Sequence, residues 1–129
     1  MTATPVIRVA VCDDARAVKL YLRHVLEEEG DMEVVSATSG GQQALDALAQ
    51  TPADVLLLDL LLPDVPEPAV LVARIRELAP RMGILLMSNM APSRLEQEAR
   101  ELGTDGWMPK ALKAAQMRDA IRAIVAART

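Results

Sequence analysis

Four consecutive apolar residues, Val55-Leu56-Leu57-Leu58, run straight into an acid at Asp59, and this stretch limits the possible folds most. A strand-length run with no polar alternate has no face to give to water, so it needs cover above and below. A carboxylate is costly to bury. An acid at the exit of such a run therefore belongs at the strand's C-terminal mouth, facing a cation or a reaction. Residues 6–12 are β-branched and mostly apolar and stop at Asp13-Asp14, as a second interior strand would. From Ala15 the period changes. Val18, Tyr21, Leu22, Val25 and Leu26 fall at helical spacing, with Gly30 placed to end the helix.

The alternation continues along the chain. Residues 32–37 read as a short strand, and Ser39 with Gln42 gives a capping-box start for a helix burying Ala44, Leu45 and Leu48. Thr51-Pro52 ends it. After the strand at 55–59, the stiff Pro66-Glu67-Pro68 segment leads into a helix carrying Leu71, Ile75 and Leu78. Residues 83–87 form a fourth buried strand that delivers Ser88, and Pro92-Ser93 with Glu96 opens a polar helix around Leu95, Ala99 and Leu102. Gly103-Thr104-Asp105-Gly106 is a turn, Trp107-Met108 a brief fifth strand reaching Pro109-Lys110, and Met117, Ala120, Ile121, Ile124 and Val125 mark a last helix. Strands and helices in strict alternation predict an α/β, doubly wound, flavodoxin-like (βα)5 fold. Its sheet is parallel and five-stranded, of order 2-1-3-4-5, with right-handed crossovers and helices on both faces. Ligands of such sheets bind outside the carboxyl ends of the strands at the switch point, here between strands one and three.

Composition narrows the function. At 129 residues and 51% hydrophobic, the chain suits a single domain over 1–129 with its core at about 6–127. Cys12 has no partner, which excludes a disulfide framework and makes a reducing compartment, the cytoplasm, the expected location. No apolar run approaches the ~18–20 residues of a membrane span, and Met1-Thr2-Ala3-Thr4-Pro5 lacks the regions of a signal peptide. A net charge of −4 argues against direct nucleic-acid binding. Lys110, Lys113, Arg118, Arg122 and Arg128 then read as a solvated helix face. With Tyr21 and Trp107 as the only aromatics, there is no stacking platform for single strands. His24 reads as a surface residue, since no second ligand is spaced for it.

The predicted strand ends carry the chemistry. Strand one ends in Asp13 and Asp14, strand three in Asp59, strand four in Ser88 and strand five in Lys110. Three acids at one mouth repel each other unless a divalent cation neutralises them, and an all-oxygen set suits Mg2+, with Mn2+ as a substitute. Lys110 adds a fixed positive charge and Ser88 a hydroxyl that can donate to an anionic oxygen. Together they describe a pocket for a phosphoryl group on Asp59.

On these residues the sequence resembles the receiver domain of bacterial two-component response regulators, from Ile7 to about Ala126. The resemblance implies that Asp59 accepts a phosphoryl group from the phosphohistidine of a sensor histidine kinase or phosphotransfer protein. It implies that Asp14, Asp59 and the Leu61 carbonyl bind Mg2+ directly, that Asp13 acts mainly through water, and that Lys110 pairs with Asp59. Such a chain promotes its own modification and serves as a switch more than as an enzyme. Ser88 would move onto the phosphoryl group and couple to Trp107. The face formed by helix four, strand five and helix five would be the output surface, available for a homodimer. Glu67 stands where receivers often carry glycine, and Asn89 where they carry a small residue. The Gly106-to-Leu112 segment is similar to that of receivers joined to helix-turn-helix transcription factors, and Leu61 and Met90 are bulky at positions lining the path of hydrolytic water. A slowly hydrolysed phosphoaspartate is expected from them. Both a stand-alone module and a piece of a longer regulator fit the chain's end. Two other classes are weighed. A flavodoxin-type cofactor binder needs a phosphate loop where Asp13-Asp14 would repel phosphate; a phosphorylation-independent pseudo-receiver, acting as an interaction module, is the stronger rival.

Overall fold

In the computed structural model residues 5–128 are described; residues 1–4 and 129 lie outside, and with them most of the stretch read for a signal peptide. The elements are β1 (Ile7–Cys12), α1 (Arg16–Glu27), β2 (Met32–Thr38), α2 (Gly41–Gln50), β3 (Val55–Asp59), α3 (Pro68–Leu78), β4 (Gly83–Ser88), α4 (Pro92–Leu102), β5 (Gly106–Pro109) and α5 (Ala114–Ala127). The strands form one parallel sheet of order β2-β1-β3-β4-β5, the expected doubly wound arrangement.

Successive strand residues point to opposite faces of a sheet, and here both faces are apolar. Ala10, Cys12, Leu56, Leu58, Ile84 and Leu86 pack under Ala44 and Leu48 of α2, Leu71 and Ile75 of α3, and Leu95 and Ala99 of α4. Val9, Val11, Val55, Leu57, Leu85 and Met87 pack under Leu22, Val25 and Leu26 of α1 and Met117, Ile121 and Ile124 of α5. This two-sided cover is why residues 55–58 show no polar alternation. At about 2 kcal/mol for each buried Val or Leu, the four apolar residues of β3 outweigh the several kcal/mol that an acid at its end costs. Gly83 lets α5 close on β4, because a Cβ there would overlap Ile124 Cγ2.

Local details depart from the sequence reading. Neither predicted capping box forms. The residue before α2 is Gly40, and the Ser39 N–H donates to Gln43 Oε1 at 3.0 Å, one position beyond Gln42. The Ser39 hydroxyl is engaged by Lys19 instead. In α4 the first residue is Pro92, whose missing N–H leaves one fewer donor to cap, and Ser93 lies inside the first turn. Tyr21 and Leu78, expected on buried faces, are 48% and 43% exposed; one sits at the edge of the α1 stripe, the other at the last residue of α3.

Lys113 of the basic last segment is exposed as expected, but its arginines are ion-paired. Arg118 is 9% exposed, donates to the Val25 carbonyl at 2.8 Å and places Nε 2.9 Å from Glu29. Arg122 meets Glu29 at 2.7 Å and Asp31 at 2.8 Å. The acids that follow α1 therefore hold α5 against it. Arg128 binds Asp105, which also accepts from Arg76 of α3 at 2.9 Å and from the Ile84 N–H at 2.8 Å. Among the described residues no helix is long and apolar enough to cross a membrane.

Candidate functional site

Strand register builds the site. Cys12 pairs with Leu58, so Asp13 and Asp59 leave β1 and β3 side by side. Asp59 pairs with Met87 and Ser88 with Pro109, which brings Ser88 and Lys110 to the same end of the sheet. The acids differ in environment. Asp13 is wholly buried and Asp59 4% exposed, whereas Asp14 faces solvent. One carboxylate oxygen from each lies within 4.8 Å of the others.

Lys110 bridges the two buried acids. Its Nζ stands 2.7 Å from Asp13 Oδ2 and 3.3 Å from Asp59 Oδ2. The pairing with Asp59 expected from the resemblance is present, and Asp13 is a second, nearer partner. That 2.7 Å contact is an ion pair without hydrogen-bond alignment, so Asp13 Oδ2 is buried and receives no aligned donor. The remaining oxygens are held by backbone: Asp13 Oδ1 accepts the Ala15 N–H at 2.8 Å, and Asp59 Oδ1 the Leu61 N–H at 3.2 Å. Ser88 is 1% exposed; its Oγ accepts the Met90 N–H at 3.2 Å and its carbonyl the Lys110 N–H at 3.0 Å.

The electrostatics follow. Burial pushes the Asp59 carboxyl above its ordinary range, with Asp13 adding to the rise; the Leu61 N–H and Lys110 pull against it. Burial opposes the charge on Lys110, but Asp13 and Asp59 outweigh it, and the ammonium is held above its usual value. Burial likewise lifts the Cys12 thiol to about 11, so it stays protonated as a packed core residue beside the site.

Asp13, Asp14, Asp59 and Lys110 form one polar cluster, with Ser88 at the adjoining strand end. Leu61 reaches Asp59 through its backbone, while its side chain is 66% exposed between the buried anchors Leu60 and Leu62. Trp107 stands apart from the cluster, half-buried on the side of the sheet covered by α2, α3 and α4. Sequence reasoning missed Asp64. Its carboxylate accepts the Gly41 N–H at the start of α2, at 3.0 Å to Oδ2 and 3.3 Å to Oδ1. The available signal was the Gly40-Gly41 pair, which offers no side-chain cap of its own and so needs an acceptor from another loop.

The family model for the response regulator receiver domain matches residues 9–122. The chain belongs to the response regulator receiver family. The receiver is 25% identical over 116 residues to the response regulator protein VraR of Staphylococcus aureus, covering 90% of this chain and 55% of the relative. It therefore spans about half the length of the curated relatives it matches. A two-component response regulator of the LuxR family from Aurantimonas sp. SI85-9A1 superposes with a TM-score of 0.84 at 27% identity, over 95% of this chain and 87% of that one. The solved complex of the P1 domain of CheA3 with CheY6 from R. sphaeroides contains a chain with a TM-score of 0.84 at 29% identity, over 95% of this receiver and 99% of that chain.

Proposed function

We propose that this receiver is a phosphoacceptor: Asp59 takes a phosphoryl group from the phosphohistidine of a sensor histidine kinase or phosphotransfer protein, with Mg2+ held by Asp14, Asp59 and the Leu61 carbonyl. The observation that carries this reading is the bridging of two buried carboxylates from separate strands by Lys110, with a third acid beside them. The residues suit the cation. Opposed oxygens around Mg2+ lie about 4.2 Å apart, so a cluster already within 4.8 Å needs little closing. Lys110 offsets one charge of the three acids, which leaves the cluster net negative and suited to a divalent cation. Mn2+ suits the same oxygens. Bound there, the metal would neutralise the acids and take up charge on the phosphoryl oxygens.

The chain's own groups do the rest. An Asp59 oxygen forms the new P–O bond in line as the donor's P–N bond breaks, giving an acyl phosphate. Lys110, already between Asp13 and Asp59, meets the negative charge that spreads over the phosphoryl oxygens. Ser88 gives up the Met90 N–H and turns its hydroxyl toward one of those oxygens. The motion passes to Trp107 on β5 and changes the face of α4, β5 and α5, where a partner or a second copy would dock. The complex of CheY6 with the P1 domain of CheA3 supports docking of a separate domain on such a fold. A cytoplasmic setting suits the reduced Cys12.

The test is acetyl phosphate with Mg2+, read by intact mass, together with beryllofluoride read by Trp107 fluorescence. One phosphoryl adduct, absent in Asp59→Asn, and a fluorescence change that needs Mg2+ are expected. No adduct, or one that survives Asp59→Asn, would favour the phosphorylation-independent interaction module.

A further inference from the structure

We propose that Asp64 is a positioning residue for the phosphoacceptor site, holding the loop after β3 in place by gripping the start of α2; the proposal rests on the Mg2+-dependent reading above.

The loop at 60–67 must present Leu61 beside Asp59, yet Leu61 itself is mostly exposed and packs against little. Its placement comes from its neighbours. The Leu60 N–H donates to the Met87 carbonyl at 2.9 Å and the Val65 N–H to the Leu62 carbonyl at 3.1 Å, which closes a turn over residues 62–65. Those bonds shape the loop but do not tie its outer half to the rest of the protein. Asp64 and Val65 supply that tie. The Asp64 carboxylate accepts the Gly41 N–H through both oxygens, and Val65 packs on the same glycine. A Cβ at Gly40 would stand 2.7 Å from Asp64 Oδ2, and one at Gly41 2.7 Å from Val65 Cγ2. A side chain at either glycine would have to push Asp64 or Val65 aside.

The grip is anchored on its far side by the strand that carries the other acids. The Cys12 Sγ donates to the Gly40 carbonyl at 3.4 Å, and Cys12 precedes Asp13 in the chain. One peptide segment, Gly40-Gly41, is therefore bound by β1 through a carbonyl and by the loop after β3 through an N–H. A free N–H at a helix start favours a carboxylate, and here the acceptor comes from 23 residues away. The effect is to fix the spacing between the Asp13-Asp14 side of the site and the Leu61 side. Partners bonded directly to metal ligands are worth about tenfold or more in affinity; Asp64 acts one step further out, so a smaller loss follows.

Calorimetric titration with Mg2+ alone, well below the unfolding temperature of each variant, tests this. D64A is expected to bind Mg2+ several-fold more weakly, and D64N, which keeps one acceptor oxygen, to lose less. G41A should also weaken binding by driving Val65 outward, and the double variant G41A/V65A should recover most of that loss, which a simple loss of helix stability would not do. Should D64A fail to fold, D64N and the glycine series carry the comparison. Wild-type Mg2+ affinity in D64A or D64N with a lowered unfolding temperature would reduce Asp64 to a helix cap and overturn the proposal, as would a double variant no better than G41A. A wild-type chain that takes up no Mg2+ would instead overturn the phosphoacceptor reading, and the positioning role with it.

Discussion

Asp59 sits 4% exposed beside Asp13, so ionising it raises the free energy of the folded state by more than that of the unfolded chain. Lys110 and the Leu61 N–H offset part of that cost but not all of it, since the carboxyl remains above its ordinary range. The sign then follows from linkage. A group whose folded value is raised favours folding below its unfolded value, about 3.9 for Asp, and that contribution is lost as pH rises through the folded value. Replacing Asp59 by Asn removes the charge and keeps the shape. We expect Asp59→Asn to be more stable than wild type at neutral pH by about 1 kcal/mol, with the gap shrinking as pH falls below the folded value. Urea unfolding of both proteins across a pH series checks it; a variant less stable than wild type at pH 7 would contradict it. Stability yielded at a buried charge is a common feature of functional sites.

At the scale of elements, Asp105 works in the opposite direction. It joins α3 through Arg76, β4 through the Ile84 N–H and α5 through Arg128, and its side chain is 24% exposed. Burial alone would raise its carboxyl, but these donors outweigh burial and hold it below the ordinary range. Its contribution is therefore present above the unfolded value and lost as pH falls through the folded one. Asp105→Asn should cost about 1 kcal/mol at neutral pH, after allowing for screening of a partly solvated pair, and the difference from wild type should vanish in acid. Thermal melts at two pH values measure it. Asp105 was invisible as a hub because a turn residue between two glycines advertises only the turn; its three partners are far away in sequence. The fold was legible for the converse reason. Strands such as 55–59 and 83–88 announce themselves as unbroken apolar runs and helices such as α5 by their local period, and the acids, hydroxyl and ammonium of the site stand at strand ends. What could not be read was which acid Lys110 prefers, and the Asp64 grip on α2, since both depend on contacts between distant loops.

For the whole molecule, the helices differ in how they are fastened. α5 is tied by Arg118 and Arg122 to the end of α1 and the loop ahead of β2, and by Arg128 to Asp105. α4 buries only Leu95 and Ala99, and the ion pair of Arg100 with Glu96 lies within the helix itself. α4 is thus fastened less tightly than α5. Hydrogen exchange with and without beryllofluoride and Mg2+ is expected to change most across residues 89–110 and less across 114–127. An equal response in α5 would show that the ion-paired seam moves with the switch.

The outer margin of the sheet has a consequence for how copies of this chain meet. β5 is four residues long and ends in Pro109, which has no N–H to offer. A row of unpaired backbone donors at a sheet margin is a template for cross-strand aggregation, and short strands and proline blunt it. Growth of the sheet from one molecule into the next is therefore disfavoured on that side. Contacts between copies there are left to helix surfaces, which can be made and released without unravelling any strand.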